Sequence, residues 1–260
     1  MIIADLHVHS NYSDGQLSIS ELTDFYGSRG FGAIAITDHL CERQSFLGRA
    51  AQYLKYTLTE ENFDQYMHEI EVEGRRAWNQ YRMKVIPGYE ITKNSISNSR
   101  SAHIVALNAR KFVSADRDVV DICRQIRAQD ALAIAAHPVS TRKFEKQTYF
   151  LWDRRRELRH ELDAWEVASG PVLFEEVLAS GLPLVASSDF HRPGQIRAWK
   201  TVFNCRPETG AILQSILSQD LSFQFYAGDC SSDVPDLRPY QIHPYGGAPG
   251  FVAKGQYQLA

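Results

Sequence analysis

The decisive stretch of this sequence is IIADLHVHSNYSDG, residues 2–15. Its first seven residues are mostly apolar, and a short apolar run of this kind predicts a buried β-strand. His7 and His9 are two positions apart on that strand, so both imidazoles should project from the same face. The Ser-Asp-Gly sequence that follows is typical of a turn, which places Asp14 just beyond the strand.

Six further short runs, most of them apolar, alternate with helical stretches along the chain. They are AIAIT (33–37), MKVIPGYE (83–90), SAHIVALN (101–108), ALAIAAH (131–137), LDAWEVAS (162–169) and LPLVASS (182–188). Strands that are separated by helices and short links predict a parallel sheet covered on both faces. We therefore predict an α/β fold built as a closed or nearly closed barrel.

The composition is that of one folded domain. The chain has 260 residues, of which 44% are hydrophobic and 23% charged, and α/β barrels often reach this length as a single unit. We predict one domain over residues 1–260, with a lid insertion around residues 40–58 and an irregular, Gly- and Pro-rich tail over residues 229–260. Ser18 and Glu21 have the spacing of a capping box at the start of the first helix.

Charge and cysteine usage exclude several classes of protein. A net charge of -3 supplies no general attraction for duplex nucleic acid. No apolar run approaches the ~20 residues of a membrane span, and no secretory leader is recognisable. The 4 cysteines are scattered without a CxxC pair, which is typical of reduced intracellular thiols. No Gly-rich loop for ATP or NAD is present. We expect a cytoplasmic protein without a membrane partner.

Most histidines of the chain fall within or just past the carboxyl end of a predicted strand. They are His7, His9, His39, His103, His137 and His191, and three carboxylates, Asp14, Glu90 and Asp189, have the same placement. That end of a parallel barrel carries the active site. A lone histidine there is more often a hydrogen-bonded core residue, and a lone carboxylate a turn or surface residue. The whole set, without cysteine, is instead a nitrogen and oxygen donor set for several cations.

The motifs DLHVHSNYSDG, AITDH, GYE, HIVAL, AAHP and SSDFH occur in this order. This pattern resembles the polymerase and histidinol phosphatase (PHP) family of metal-dependent phosphoesterases, and it covers about three quarters of the chain between Asp5 and His191. The resemblance implies a distorted (β/α)7 barrel of TIM-like type with two or three divalent metal ions, Zn, Mn or Fe, at its mouth. The later motifs are most similar to stand-alone members that act on small phosphate esters.

The resemblance also implies which residues bind each metal ion. The implied sets are His7, His9, Glu90 and Asp189 for the first ion, Glu90, His103 and His137 for the second, and Asp14, His39 and His191 for the third. Glu90 would bridge the first two ions, and no catalytic residue is implied beyond the hydroxide between them. Part of the family has histidine at the position of Asp14, so the third site departs from that pattern.

Three divalent ions would outweigh the three carboxylates among these ligands, which favours an anionic substrate. The basic residues that follow the ligand motifs are candidates for binding its phosphate: Arg142, Lys143, Arg192, Arg197 and Lys200. Glu166 is either a partner of a ligand or a buried, hydrogen-bonded acid. We predict hydrolysis of a small phosphomonoester or nucleotide-like phosphate. The alternatives are an exonuclease that acts on oligonucleotide ends and a non-catalytic, metal-stabilised binding module.

Overall fold

The computed structural model describes residues 1–43, 56–95, 101–139 and 149–228. The strands in these ranges are β1 (Ile2–Val8), β2 (Ala33–Ile36), β3 (His39–Cys41), β4 (Lys84–Lys93), β5 (Ala102–Leu107), β6 (Leu132–Ala135), β7 (Ala164–Ser169), β8 (Val172–Leu173), β9 (Leu184–Ser187), β10 (Ala198–Phe203) and β11 (Leu221–Tyr226). The α-helices there are α1 (Ile19–Gly27), α2 (Phe63–Tyr81), α3 (Val119–Arg127), α4 (Tyr149–Asp153), α5 (Arg155–Leu158), α6 (Glu175–Leu178) and α7 (Thr209–Ser218).

These strands form one sheet, which runs in the order β11-β10-β1-β2-β4-β5-β6-β7-β8, while β3 pairs with β4 and β9 with β7. The sheet curls, because a single bridge between Val8 and Phe190 joins the end of β1 to the segment just after β9. The carboxyl ends of β1, β2, β6, β7 and β9 therefore meet at one rim. The predicted α/β class is confirmed, with the sheet curled into a half barrel.

The all-parallel sheet expected from the strand and helix alternation is wrong. β5 runs antiparallel to both β4 and β6, and β1 pairs antiparallel with β10, a strand that the sequence analysis did not predict. The link between β4 and β5, residues 94–101, is too short for the crossover of a dozen or more residues that parallel neighbours require. The chain therefore turns back beside β4, and β6, which resumes the original direction, opposes β5.

Several helices pack against the strands of this sheet, α2 against β4, α3 against β6 and α6 against β7. The capping box of α1 is confirmed, because the Ser18 N–H donates to Glu21 Oε2 at 2.8 Å and the Glu21 N–H donates to Ser18 Oγ at 3.3 Å. α2 buries Phe63, Tyr66 and Ile70 on its inner face. No helix in the described ranges is both long and apolar enough to cross a membrane.

The first residues of the predicted lid insertion form a strand instead of a loop. Its first residues, Leu40 and Cys41, belong to β3, and the Leu58 N–H donates to the His39 carbonyl at 2.7 Å, which anchors the far end of the segment to the same strand. Residues 44–55 and the predicted tail, residues 229–260, lie outside the described residues. The lid, the tail and the single-domain boundary stay predictions.

Candidate metal centre

The structure brings all nine predicted ligand residues together at one rim of the sheet. They form overlapping groups whose nitrogen and oxygen atoms lie within 4.8 Å of one another: His9, Asp14, His39 and His191; His7, His137 and Asp189; His7, His9 and Glu90; and Glu90, His103 and His137. Residues from distant parts of the chain meet here because the curled sheet brings their strand ends side by side.

The innermost pair is His7, in β1, and His9, one residue past its end, and both are fully buried. Their ring centroids are 4.9 Å apart, because the chain stays extended enough past Val8 to keep both rings on the same side. The Nε2 atoms of both rings are buried and lack a hydrogen-bond partner among the described residues. Such an orphaned polar atom is costly in a protein interior. His7 Nε2 lies 3.6 Å from both Glu90 Oε1 and Asp189 Oδ1, so these donor atoms fit a shared divalent cation.

Glu90 lies at the centre of the cluster and is fully buried in β4. Its Oε1 atom is 3.0 Å from His103 Nδ1 and 3.2 Å from His137 Nε2, while its Oε2 atom is 2.6 Å from His39 Nδ1. Burial would raise the pKa of Glu90, but the charges of His39, His103 and His7 outweigh burial and hold that pKa well below its usual range. One ionised carboxylate thus faces imidazoles from several elements.

The outermost group consists of Asp14, His39 and His191. Asp14 Oδ1 lies 3.1 Å from His191 Nε2 and 3.6 Å from His39 Nε2. The side chain of Asp14 is 42% exposed, which places this group at the solvent side of the cluster. The ring of His191 stacks on that of His9 with centroids 4.1 Å apart, so this group adjoins the buried one.

Two ligand candidates have left-handed backbone conformations. His137 has φ 28° and Asp189 has φ 53°, and each lies two residues beyond the end of a strand. Such values are uncommon for residues with a side chain, and they cluster at functional sites where the surroundings enforce them. At Asp189 the enforcement includes Asp5, whose carboxylate accepts hydrogen bonds from the Ser188 N–H at 3.0 Å and the Ser188 hydroxyl at 2.5 Å.

Sequence reasoning missed the role of Asp38. This fully buried carboxylate accepts four hydrogen bonds, from the backbone N–H and the hydroxyl of both Ser10 and Ser13, at distances of 2.6 to 3.1 Å. Asp38 therefore ties the turn that carries Asp14 to the strand end that carries His39. The available signal was an acid directly before His39 in AITDH, but its partners are 25 and 28 residues away.

Asn94 was also missed. Its Oδ1 atom lies 2.9 Å from His103 Nε2, while Nδ1 of the same ring faces Glu90. A proton on Nε2 that is donated to Asn94 would leave the Nδ1 lone pair directed at the cluster.

The five predicted phosphate-binding residues divide into three cases. Arg142 and Lys143 lie outside the described residues. Arg192 and Arg197 are exposed on the segment that follows His191. Lys200 is a correction: it is fully buried in β10, with Nζ 2.7 Å from Asp5 Oδ2. Strand alternation directs this ammonium into the core, where it neutralises Asp5, so we remove Lys200 from the proposed substrate-binding set.

The metal-free protein should lose stability on either side of about pH 6.5. Burial lowers the pKa of His191, but Asp14 and Asp189 outweigh burial and raise it to about 9. Its contribution, of order 3 kcal/mol, is present below pH 6.5 and lost as the pH rises to about 9. Burial, with the charges of His191 and His39, lowers the pKa of His9 to about 3, so His9 destabilises the fold as the pH falls below 6.5.

Urea unfolding of the chelated protein at about pH 5, 6.5 and 9 measures this dependence. The metal-loaded protein is the control, because bound cations keep their ligands deprotonated and should remove the loss on the alkaline side. A metal-free protein that is equally stable at about pH 6.5 and 9 would contradict the role given to His191.

The curled α/β sheet carries its histidine and carboxylate cluster at the strand ends, which defines an α/β protein with a candidate metal centre. The chain belongs to the PHP domain family, whose model matches residues 5–143. Seven of the nine cluster residues lie inside the matched range, while Asp189 and His191 lie beyond it.

Solved structures with the same fold are distant in sequence. A two-domain protein from Bacteroides vulgatus, described as containing a predicted PHP-like metal-dependent phosphoesterase, matches with a TM-score of 0.64 at 18% identity over 86% of this chain. This chain spans 65% of that protein, less than two thirds of its length. At such identity the likeness shows the fold alone.

Two further structures are more remote. A protein from Bifidobacterium adolescentis, proposed as a metal-dependent phosphoesterase, has a TM-score of 0.48 at 13% identity, over 72% of this chain and 87% of that one. An amidohydrolase from Chromobacterium violaceum, with bound sulfate and no metal, has a TM-score of 0.48 at 15% identity, over 82% of this chain and 96% of that one. No curated protein matches the sequence.

Proposed function

We propose that this PHP-family protein hydrolyses small phosphate esters, either phosphomonoesters or nucleotide-like phosphates, with two or three divalent ions of Zn, Mn or Fe. The observation that carries the proposal is the convergence of eight nitrogen- and oxygen-bearing side chains around the buried carboxylate of Glu90. The orphaned Nε2 atoms of His7 and His9 support metal binding, because a cation would satisfy both. We also propose that the complete fold is the distorted (β/α)7 barrel that the family resemblance implies.

The proposed ligand sets are drawn from the overlapping groups of donor atoms. They are His7, His9, Glu90 and Asp189; Glu90, His103 and His137; and Asp14, His39 and His191. Divalent cations held there would lower the pKa of a coordinated water to about 7, far below that of bulk water, and stabilise negative charge on a phosphoryl oxygen. Glu90 belongs to the first two sets, so it would set the distance between them.

A cysteine nucleophile at this rim is not supported. Burial raises the pKa of the Cys41 thiol to about 11, so this residue, two positions after His39, is a thiol rather than a thiolate at neutral pH. The chain's own part in the reaction is then to hold the ligands, orient the substrate and exclude bulk water. This is consistent with hydrolysis that needs no covalent intermediate on the protein.

An anionic substrate is supported by charge. Two or three divalent ions would bring four to six positive charges against the three carboxylates Asp14, Glu90 and Asp189. Arg192 and Arg197 follow His191 on the exposed rim, and Arg142 and Lys143 follow His137 in the sequence. A planar guanidinium matches the geometry of a phosphate, because two of its N–H groups can donate parallel hydrogen bonds to two phosphate oxygens.

Substituting Arg197 by Ala should lower kcat/KM for the substrate by about 10- to 150-fold. This corresponds to about 1.5 to 3 kcal/mol for a lost hydrogen bond to a charged group, and metal content should not change. Steady-state kinetics with elemental analysis test this effect, and the same loss is expected for Arg142→Ala. Arg156→Ala is the matched control, since Arg156 is exposed on α5 and should leave kcat/KM unchanged.

A substrate panel tests the proposed reaction. Phosphomonoesters, nucleotides, neutral amides, lactones and short oligonucleotides would be assayed with Mn, Fe or Zn in turn. We expect phosphate monoesters to be hydrolysed fastest, with competitive inhibition by inorganic phosphate. Faster turnover of amides or lactones without phosphate inhibition would overturn the proposal. Removal of terminal nucleotides with strong salt dependence would instead indicate an exonuclease.

A further inference from the structure

Glu166 uses its two carboxylate oxygens for two different ligand candidates. It is 1% exposed in β7. Its Oε1 atom is 2.9 Å from His7 Nδ1, and its Oε2 atom accepts a hydrogen bond from the backbone N–H of His137 at 2.6 Å. His7 belongs to the first proposed ligand set and His137 to the second, so one buried carboxylate contacts both sets without belonging to either.

The contact with His7 decides which ring nitrogen faces the cluster. A carboxylate within 2.9 Å of Nδ1 requires the proton on that nitrogen. In the neutral form of the ring, which binds metal, Nε2 then carries the lone pair, and this atom lies 3.6 Å from Glu90 Oε1 and Asp189 Oδ1. An imidazole with its outer nitrogen bound in this way is both oriented and made a stronger metal ligand.

The contact with His137 anchors a strained backbone. His137 has φ 28°, a conformation that residues with a side chain rarely adopt unless the surroundings impose it. Its N–H is bound by Glu166, and the N–H of the preceding residue, Ala136, donates to the His103 carbonyl at 3.0 Å. These two bonds hold the turn that directs His137 Nε2 to within 3.2 Å of Glu90 Oε1.

Both strands that form the His7 and Glu166 contact have irregular registers at that point. The pairing of β1 with β2 shifts between Asp5 and Val8, and the pairing of β7 with β9 shifts between Glu166 and Ala168. Such irregularities re-aim side chains and are frequent beside active sites. The backbone is therefore adapted on both sides of the contact.

We propose that Glu166 is a positioning residue that couples the geometry of the first two metal sites. It fixes the tautomer of His7 through one oxygen and the backbone of His137 through the other. This inference rests on the metal-ligand sets of the proposed function, but not on the identity of the substrate.

The test is Glu166→Gln. The amide keeps the shape of the side chain but has only one acceptor oxygen, so either His7 Nδ1 or the His137 N–H loses its acceptor. We expect the affinity of the first two sites for Co²⁺ or Zn²⁺ to fall about 10- to 100-fold in a chelator competition, with the site of Asp14, His39 and His191 unchanged.

Asp163→Asn is the matched control. This carboxylate lies just before β7 and accepts a hydrogen bond from the Ala133 N–H at 2.8 Å, but it contacts none of the nine cluster residues in the described ranges. The control should retain parental metal affinity. Thermal unfolding of the metal-free proteins separates positioning from folding, because a purely structural Glu166 would lower the stability of the metal-free form and leave the affinity of its folded fraction unchanged.

Two outcomes distinguish the possible failures. If the parent binds metal and Glu166→Gln binds it within threefold of the parent, this proposal is overturned while the proposed function stands. If the parent binds no metal, the ligand sets themselves are overturned. A measurement without substitution at Glu166 is ¹⁵N NMR of the parent imidazoles, with His7→Asn to assign the His7 signal. In the zinc-loaded parent, a His7 ring that carries its single proton on Nε2 rather than on Nδ1 would also overturn the proposal.

Discussion

Glu90→Gln should reduce kcat by about 1,000-fold or more while the protein stays folded. Its two oxygens lie within 3.2 Å of nitrogens from His39, His103 and His137. A neutral amide has one acceptor oxygen instead of two and lacks the charge that the first two proposed metal sites share. The loss corresponds to about 4 kcal/mol of transition-state stabilisation. Initial rates, metal content and circular dichroism of the purified variant measure the effect.

The control for this substitution is Glu71→Gln. Glu71 is 59% exposed on α2 and pairs with Arg75 at 2.7 Å on the helix surface. Exposed pairs of this kind contribute little, so activity and metal content should be unchanged. A Glu90→Gln protein with activity within tenfold of the parent would contradict the bridging role of Glu90.

Removal of bound metal should abolish activity and lower the free energy of unfolding. The expected loss is about 4 kcal/mol for each site, if the free metal concentration was a thousandfold above the dissociation constant of that site. Burial alone would raise the pKa values of Glu90 and Asp189, but the surrounding imidazoles outweigh burial and hold both pKa values well below their usual range. Without cations the buried carboxylate of Glu90 and the half-buried carboxylate of Asp189 are balanced by protonated histidines. Part of the cluster's favourable electrostatic energy is therefore lost with the metal.

The measurement is elemental analysis, thermal unfolding and kcat before and after chelation, followed by addition of Mn, Fe or Zn one at a time. We expect two or three metal ions per chain before chelation and recovery of both stability and activity afterwards. A folded protein purified without chelators that holds less than one metal ion per chain would count against the ligand sets. Full activity after chelation would count against metal-dependent hydrolysis.

Much of the fold could be predicted because strand identity is a local property. The runs around β1, β2, β4, β5, β6, β7 and β9 were located from hydrophobicity, and the capping box of α1 from two residues. Strand direction could not be predicted in the same way. The direction of a strand depends on the length of the segment that connects it to the previous strand and on which strand it pairs with in the sheet. The antiparallel pairing of β5 with β4 shows this.

The sequence by itself determined which residues are candidates for metal binding, because a motif order and the two-residue period of a strand are both visible in one dimension. Only the tertiary structure decided their partners. Asp38 contacts residues 25 and 28 positions away, and Glu166 contacts His7 across 159 positions. The sequence predicts Lys200 as a phosphate-binding residue, whereas β10 places it beside Asp5 in the core. Buried charges must find partners, and which partner is near follows from strand pairing in the folded sheet rather than from distance along the chain.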